Sequence, residues 1–404
     1  MVETLKATRR KSLKILGSAA TFSALGSASW ASDDSEIVIG ASLPISGPLA
    51  GFGSYANWGY NHAVNLVNQA GGITIAGKPH RIRLVIRDDK TDPNVTAANT
   101  NALISRDGAV AILASLTPPL VAAGGLIAER NRVPFITGCC PTEEFTAIRK
   151  WRYGWAMFFS AVDLSTVTFR MLENMKLSTN RKVSIFHDNG PDGEFLGAKL
   201  WPVSAKKFGY EIVQNAAFPM ETTEFTSVIT EAKAKNADIV LAMCSTPQAV
   251  ALRKQMAATG WTPKIVSMER GGEPVQFQKA LGELANGVLV GGCWSPNSPY
   301  PGAADLAKLF EKQTGQTESQ HIATSYTVAK IMLEAIARAD SLNADKITEE
   351  VAKTNGMFVV GHVQFDNQHV AVLPLVETQW QTSGSQVIWP SDRATAKMLF
   401  PVPA

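Results

Sequence analysis

The chain has 404 residues, more than one ordinary domain contains, and its 45% hydrophobic and 18% charged residues are typical of a globular protein rather than a disordered one. Residues 1–31 alone carry a charge of +4, so the formal net charge of +3 leaves −1 for the rest of the chain. A near-neutral body lacks the basic surface that nucleic acid requires, so we expect no nucleic-acid partner.

The first 31 residues predict an export signal. Basic residues precede a short apolar run at 15–25, and Ser29-Trp30-Ala31 resembles a small-residue cleavage site. Residues 8–14 resemble a twin-arginine signal, but Ser12 stands where that signal usually has phenylalanine, so twin-arginine and general secretory export both stay open. No other run approaches the roughly 20 apolar residues of a spanning helix, so we expect a soluble periplasmic protein after cleavage.

Strands and helices alternate from residue 36 onward. The strands EIVIGASL, IRLVIRDDK, AVAILAS and VPFITG are separated by helical stretches that begin near residues 55, 93 and 119. Four strand–helix steps by residue 138 predict a parallel, doubly wound sheet. The aromatic-rich stretch WRYGWAMFFSAVD, which comes next, is not expected to continue the alternation.

The alternation then starts again and predicts a second sheet. The strands KVSIFHD, EIVQNAAF, ADIVLAMC, KIVSM and GVLVGGCW alternate with helices at 162–177, 193–208, 224–235, 247–259 and 274–281. Three more helices and a strand-like tail follow Trp294. We therefore expect an α/β fold of two doubly wound parallel-sheet lobes, between which the chain crosses as ordered strands.

A glycine-rich stretch in the first lobe tests whether the protein binds a nucleotide. Residues 51–56, GFGSYA, read G-x-G-x-x-A, close to the loop that binds a dinucleotide pyrophosphate. That loop follows its strand at once, whereas residues 44–50 intervene here, and the acidic residue expected about 20 residues later is missing. We expect no nucleotide and no other cofactor. With ASLTPP and TGCCPTEEF at later strand ends, the stretch predicts a polar rim around a small molecule.

The four cysteines suggest neither a metal site nor an enzyme. They lack C-x-x-C spacing for zinc, and buried free thiols are favoured over pairing for the adjacent Cys139 and Cys140 as well as for Cys244 and Cys293. Cys139 or Cys140 with His187 is a conceivable nucleophile pair, but without geometry it does not indicate catalysis. The redox state of the four thiols stays open.

The sequence does not support a second possible metal site, a calcium-binding loop. Residues 188–193 half resemble a calcium-binding loop, but Lys199 stands where such a loop requires glutamate. The six histidines are scattered without metal-ligand spacing, and no G-x-S-x-G motif is present in the sequence. We therefore expect no metal and no enzymatic activity.

Four stretches carry a family resemblance. IVIGASLPISGPLAGFG, DDKTDPNVTAANTNALI, AILASLT and VPFITG, in this order, resemble the branched-chain amino-acid-binding proteins of ABC importers, the Leu/Ile/Val-binding family, and the match runs from about Ile37 to the C-terminus. The resemblance implies two lobes joined by a three-strand hinge, with the ligand between them. The expected lobes are 32–159 with 294–370, and 160–293 with 371–404. It also implies a monomer that delivers its ligand to a membrane ABC permease.

The resemblance also implies site residues in the first lobe. Phe52 corresponds to an aromatic that packs on the ligand side chain, and Ser115 to a residue that offers a hydroxyl and a backbone N–H to the ligand carboxylate. The next carboxylate-binding positions fall on Cys139 and Pro141, so the hydroxyl lost there is expected from Thr142.

In the second lobe the residues at the family's site positions differ more from the family pattern. Family aromatics fall on Asp192 and close to Ser245, and another, beyond the second lobe, falls on His321. The acid that pairs with the ligand ammonium falls on Glu269, next to Arg270. Because neighbours on a strand point to opposite sides, the two are not expected to serve equally, and the resemblance favours Glu269. Glu269 would indicate an amino acid, and Arg270 a dicarboxylate or an aromatic acid.

Two functions follow from the resemblance. The first is a solute-binding protein that captures a small amino acid or related carboxylate for an ABC importer. The alternative is a ligand sensor of the same fold for an amide, urea or aromatic acid. Because the chain ends at Ala404 without an output domain, we expect the importer. The identity of the ligand stays open.

Overall fold

The first half of the protein builds a parallel sheet covered by helices. The computed structural model describes residues 36–403, and the predicted export signal lies outside them. The strands up to residue 158 are β1 (Glu36–Leu43), β2 (Ile73–Ile75), β3 (Lys78–Asp88), β4 (Ala111–Leu113), β5 (Phe135–Thr137) and β6 (Gly154–Phe158). The helices between them are α1 (Ala50–Gln69), α2 (Pro93–Ser105), α3 (Pro118–Arg130) and α4 (Thr142–Ile148).

The second half repeats this alternation. Its strands are β7 (Lys182–Asp188), β8 (Glu211–Phe218), β9 (Ile239–Cys244), β10 (Ile265–Arg270) and β11 (Leu289–Gly292). Its helices are α5 (Ala161–Asn174), α6 (Pro191–Gly193), α7 (Trp201–Lys207), α8 (Thr226–Ala234), α9 (Thr246–Ala258) and α10 (Val275–Leu281). A π-helical segment, Glu194–Leu200, joins α6 to α7, and a 3₁₀ turn, Gly282–Ala285, follows α10.

The C-terminal part adds elements to both lobes. It contains α11 (Ala303–Thr314), α12 (Gln320–Ala339) and α13 (Ala344–Ala352). Its strands are β12 (Asn355–Phe358), β13 (Gly361–Gln364), β14 (Val370–Val372), β15 (Val376–Gln381) and β16 (Gly384–Trp389). Helix α12 packs against α1 and is buried along most of its length.

Each lobe is built on one seven-stranded sheet. The first has the order β14-β6-β5-β4-β1-β3-β2 and the second β16-β15-β11-β10-β9-β7-β8, and within these two sheets only the pairs β2–β3, β11–β15 and β15–β16 are antiparallel. The chain passes between the sheets after β6, after β11 and between β14 and β15. The predicted fold of two doubly wound lobes with a hinge of several crossing segments is confirmed.

Two local predictions are wrong. The aromatic-rich stretch after residue 150 was expected to break the alternation, but it contains β6, which pairs in parallel with β5. The predicted helix 193–208 is interrupted by the π-helical segment, since Pro202 has no N–H for the bond that an α-helix would make to the carbonyl of Ala198. Within the described residues, no helix has the length and apolar character needed to cross a membrane.

The glycine-rich stretch has a packing role. Helix α1 begins at Ala50, so Gly51 and Gly53 lie in its first turn rather than in a loop. A Cβ on Gly53 would lie 1.9 Å from the carbonyl oxygen of Pro44. The glycine therefore lets the segment after β1 run close against the start of α1, which brings Phe52 to the end of the sheet.

Candidate functional site

A cleft lined by residues of both lobes lies at the carboxyl ends of their strands. This is the edge at which open α/β sheets bind small molecules. Its apolar lining comes from both lobes and includes Phe52, Phe158, Phe159, Leu164, Leu196 and Met243. Its charged lining consists of Glu144, Asp192, Glu269, Arg270, Glu273 and His321.

The structure brings six of the nine predicted site residues to this cleft and leaves three outside its lining. The six are Phe52, Cys139, Asp192, Glu269, Arg270 and His321. Ser115, Thr142 and Ser245 are buried nearby but are not part of the lining.

The hydroxyls of these three residues have partners in the protein. Ser115 Oγ donates to Asp89 Oδ2 at 2.7 Å, and Thr142 Oγ1 donates to Glu143 Oε2 at 3.3 Å. Ser245 Oγ lies 3.0 Å from Gln248 Oε1 at the start of α9. The proton that Ser115 was expected to offer to a carboxylate is therefore directed at a buried aspartate.

Aromatic rings form one wall of the cleft. Phe52 and His321 meet edge to face, with ring centroids 5.1 Å apart and an interplanar angle of 85°. Phe158 contacts both Phe159 and His321, with centroid distances of 4.0 and 6.0 Å. These rings come from α1, from the end of β6 and from the start of α12, so the wall suits a flat or branched apolar group.

Glu269 and Arg270 both line the cleft, although neighbours on a regular strand point to opposite sides. Alternation ends at Arg270, which has a left-handed backbone with φ of 56°. Its guanidinium pairs with Asp188 and with Asp192, the latter at 2.5 Å. These are the two acids that gave the sequence its partial likeness to a calcium loop. Arg270 is thus already neutralised by the protein.

Glu144 was not predicted from the sequence as a site residue. It lies on α4 of the first lobe, and burial, together with the charges of Asp192 and Glu143, raises its pKa to about 8 although Arg270 opposes the shift. At neutral pH its carboxyl group is therefore mainly protonated and can donate a hydrogen bond. Only the pair Glu143-Glu144 at the start of a short helix pointed to it, and such pairs are common at helix N-termini.

Glu269 is held in a defined position in the lining of the cleft. Its Oε1 accepts from Ser267 Oγ at 2.8 Å, and its Oε2 accepts from the backbone N–H of Gly291 at 3.0 Å. Burial raises the pKa of Glu269 to about 7, although these two donors oppose the shift. The oxygens of Glu269 are thus oriented by two neutral donors, and in the described part of the chain its carboxylate does not face a cation.

His321, on α12, contacts Glu273 of the second lobe. Its Nε2 lies 3.4 Å from Glu273 Oε2, and Ser319, just before α12, donates to the same carboxylate. Burial lowers the pKa of His321, but Cys139 and Glu273 outweigh it and raise the pKa well above its usual value. Cys139 is thus close to His321, whereas the conceivable partner His187 instead contacts the carbonyl of Asp188.

Carboxylates outnumber cations in the cleft. Four acids line it, against Arg270 and His321, and both cations already face carboxylates. Within residues 36–403 no group of histidine, cysteine and acidic side chains has the arrangement of a metal site. The geometry therefore suits a small, largely apolar molecule with a positively charged group.

A known protein family matches most of the described chain. The profile of the periplasmic binding protein family matches residues 36–385. The Leu/Ile/Val-binding protein homolog 8 of Brucella suis is 26% identical over 395 residues, which cover 93% of this chain and 96% of that protein.

Solved structures give the same picture of the fold. The isoleucine complex of LivJ from Streptococcus pneumoniae has a TM-score of 0.78 at 22% identity and covers 88% of this chain and 100% of its own. A benzoate complex of a solute-binding protein from R. palustris has a TM-score of 0.75 at 17% identity and covers 91% and 98%. The resemblance seen in the sequence is confirmed: the chain belongs to the periplasmic binding protein family and is related to its Leu/Ile/Val-binding members.

Proposed function

We propose that the protein is an extracytoplasmic solute-binding protein that captures a small apolar amino acid or a related carboxylate and delivers it to an ABC permease. The observation that carries the proposal is the cleft itself, whose lining combines a group of aromatic rings with the oriented carboxylate of Glu269. We further propose that the mature chain acts as a periplasmic monomer.

The ammonium group of the ligand is assigned to Glu269. A buried carboxylate without a cation is costly, and a ligand ammonium at hydrogen-bond distance would offset that cost. Arg270 is a poor anchor for a ligand carboxylate because Asp188 and Asp192 already occupy it. These contacts favour an amino acid over the dicarboxylate that a free Arg270 would have indicated.

The ligand carboxylate is assigned to neutral donors of the first lobe and α12. Thr117 lines the cleft beside Cys139, and Gln320 accepts from the backbone N–H of Cys293 at 2.8 Å through its Oε1, which leaves its NH₂ group to donate. Protonated Glu144 is a third donor. The predicted roles of Ser115 and Thr142 would require their hydroxyls to exchange partners and stay predictions.

A thermal-shift screen tests the ligand class. We expect apolar amino acids to raise the melting temperature more than their desamino analogues do, since only the former carry an ammonium for Glu269. A ligand at 100 times its dissociation constant adds about 2.7 kcal/mol to the free energy of unfolding, which such a screen detects. Benzoate and hydroxybenzoates serve as the comparison set. If these aromatic acids alone raise the melting temperature, the amino-acid assignment fails.

Uptake distinguishes delivery from sensing. A strain that lacks this gene should lose high-affinity uptake of the ligand found in the screen, and a copy of the intact gene should restore it. A sensor of the same fold would leave uptake unchanged and abolish a response to the ligand instead. That second outcome would support the alternative function and overturn the transport role.

A further inference from the structure

A second carboxyl group lies behind Glu269. Glu377 on β15 is paired in register with Gly291 on β11, and side chains of such cross-strand partners lie on the same face of a sheet. Gly291 has no side chain on that face, and Leu164 Cδ1 and the carboxylate of Glu269 occupy the space, 2.4 and 3.2 Å from where a Cβ would be. The side chain of Glu377 therefore starts from the position next to this carboxylate.

Both acids are withdrawn from water. Glu269 is 2% exposed and Glu377 is 0% exposed. Thr168 on α5 donates to Glu377 Oε1 at 3.3 Å, whereas Oε2 of Glu377 has no hydrogen-bond partner within residues 36–403. A buried carboxylate oxygen without a partner is costly, but a protonated one is a donor that needs an acceptor.

The charges around the pair do not compensate for two anions. Burial and the charge of Glu269 raise the pKa of Glu377 well above its usual value, and Thr168 opposes the shift only in part. Toward the cleft, Glu269 shares the lining with two cations, Arg270 and His321. Arg270 already faces Asp188 and Asp192, and His321 already faces Glu273. The remaining acid there is Glu144. Two adjacent buried carboxyl groups without a free cation hold one proton between them.

We propose that Glu377 keeps this proton on Oε2 and directs it at Glu269, so that a neutral carboxylic acid holds its neighbour as a carboxylate ready for a ligand ammonium. Glu377 is then a positioning residue that acts through Glu269. The pair carries one negative charge before and after the ligand binds, and binding only fixes the charge on Glu269 and the proton on Glu377. The selectivity part of this inference rests on the proposed function, whereas the shared proton does not.

The shared proton is tested first without any ligand. A folded-state pKa above the unfolded value means that folding stability is full below about pH 4.3 and falls as the pH rises through the folded value. Glu377→Gln removes this proton but keeps an N–H donor, so its melting temperature should fall less than that of the wild type between pH 5 and 8. The infrared difference spectrum of wild type minus Glu377→Gln should show the carbonyl band of a protonated carboxylic acid, because the band of protonated Glu144 is common to both proteins and cancels. Equal pH profiles and no such band would overturn the shared proton.

The selectivity is tested with L-isoleucine and 3-methylpentanoate, the same skeleton without the amine. Glu377→Gln retains a donor to Glu269 and should keep the preference for L-isoleucine. Glu377→Met has similar length but no donor, and it should lose that preference by roughly 10- to 100-fold. A purely structural role predicts equal preferences in both variants, and that result would overturn the proposal.

The two tests separate the two ideas. If neither L-isoleucine nor 3-methylpentanoate binds the wild type, but the ligand-free measurements show the proton, then the proposed amino-acid ligand is wrong and the shared proton of Glu269 and Glu377 is supported. If L-isoleucine binds but the pH profiles and infrared spectra of wild type and Glu377→Gln coincide, the proposed function stands and the pair fails. Circular dichroism of both variants before each measurement establishes that they fold.

Discussion

At the scale of single residues, the acids in and around the cleft differ in their partners. Asp188 and Asp192 neutralise Arg270, Glu273 faces His321, and Glu269 is oriented by a hydroxyl and a backbone amide. An acid that already faces a cation has little affinity left for a ligand cation, so under the proposed function Glu269 is the acid that pairs with the ligand ammonium.

Glu144 gives a prediction for stability against pH. Its folded pKa of about 8 lies above the ordinary 4.5, so the unfolded state loses its proton first and stability declines between about pH 4.5 and 8. Glu144→Gln cannot titrate and should be more stable than the wild type by about 1–2 kcal/mol at pH 8, with a smaller difference at pH 5. Urea unfolding at both pH values measures this.

The control for this prediction is Glu283→Gln, which removes an exposed acid of the second lobe. It should leave the difference in unfolding free energy between pH 5 and 8 unchanged. An equal effect of both substitutions would mean that the general charge of the protein, rather than the buried position of Glu144, causes the pH dependence.

At the residue scale the sequence could predict only part of the site. Phe52, Glu269 and His321 were found because they occupy positions of a family pattern. Glu144 and Glu377 were missed because their significance depends on neighbours distant in sequence, such as Asp192 and Gly291. The left-handed backbone of Arg270 has no local signal, since arginine seldom adopts it.

At the scale of elements, strand β11 has a glycine, Gly291, where neighbouring side chains of the site need space. A Cβ on Gly291 would lie 2.4 Å from Leu164 Cδ1 and 3.2 Å from Glu269 Oε2. Gly291→Ala should therefore lower the free energy of unfolding by about 1–3 kcal/mol through overpacking, and it should also weaken ligand binding because Glu269 must move. Urea unfolding and a binding titration measure the two effects.

Gly356→Ala is the matched control, since Gly356 also lies in a strand and a Cβ there would meet only Phe358 Cε2 at 3.7 Å. This ordinary contact predicts a small effect on stability and none on binding. If Gly291→Ala were as mild as the control, the space above Gly291 would not be needed for Glu269.

Elements with a clear period were predicted and irregular ones were not. The repeated alternation of apolar strands and helices predicted both sheets, because buried parallel strands appear in the sequence as nearly continuous apolar runs. The strand β6 was missed since its aromatic residues resemble a loop or a helix face as much as a strand. The π-helical turns depend on Pro202 and on packing of Gly197 against His187, which no periodicity reveals.

At the scale of the whole molecule, the site exists only where the lobes meet. Glu143, on α4, holds the first crossing segment, accepting from Ser160 Oγ at 2.5 Å and from the backbone N–H of Ala161 at 2.8 Å. Near another crossing, Glu273 after β10 contacts Ser319, just before α12, and His321 in its first turn. These contacts join elements of both lobes on either side of the cleft, so they depend on how far the lobes are apart.

Closure is the last prediction. The ligand can contact both the aromatic wall of the first lobe and Glu269 of the second only when the lobes are together, so binding should shift the population toward the closed state. X-ray scattering with a saturating ligand from the screen should give a smaller radius of gyration than the free protein. Glu273→Ala removes a contact between the lobes that the ligand does not supply, so this variant should close less completely and bind more weakly by about tenfold. Identical scattering with and without ligand, in a protein shown by titration to be saturated, would mean that the lobes are fixed and that the cleft fills without closing.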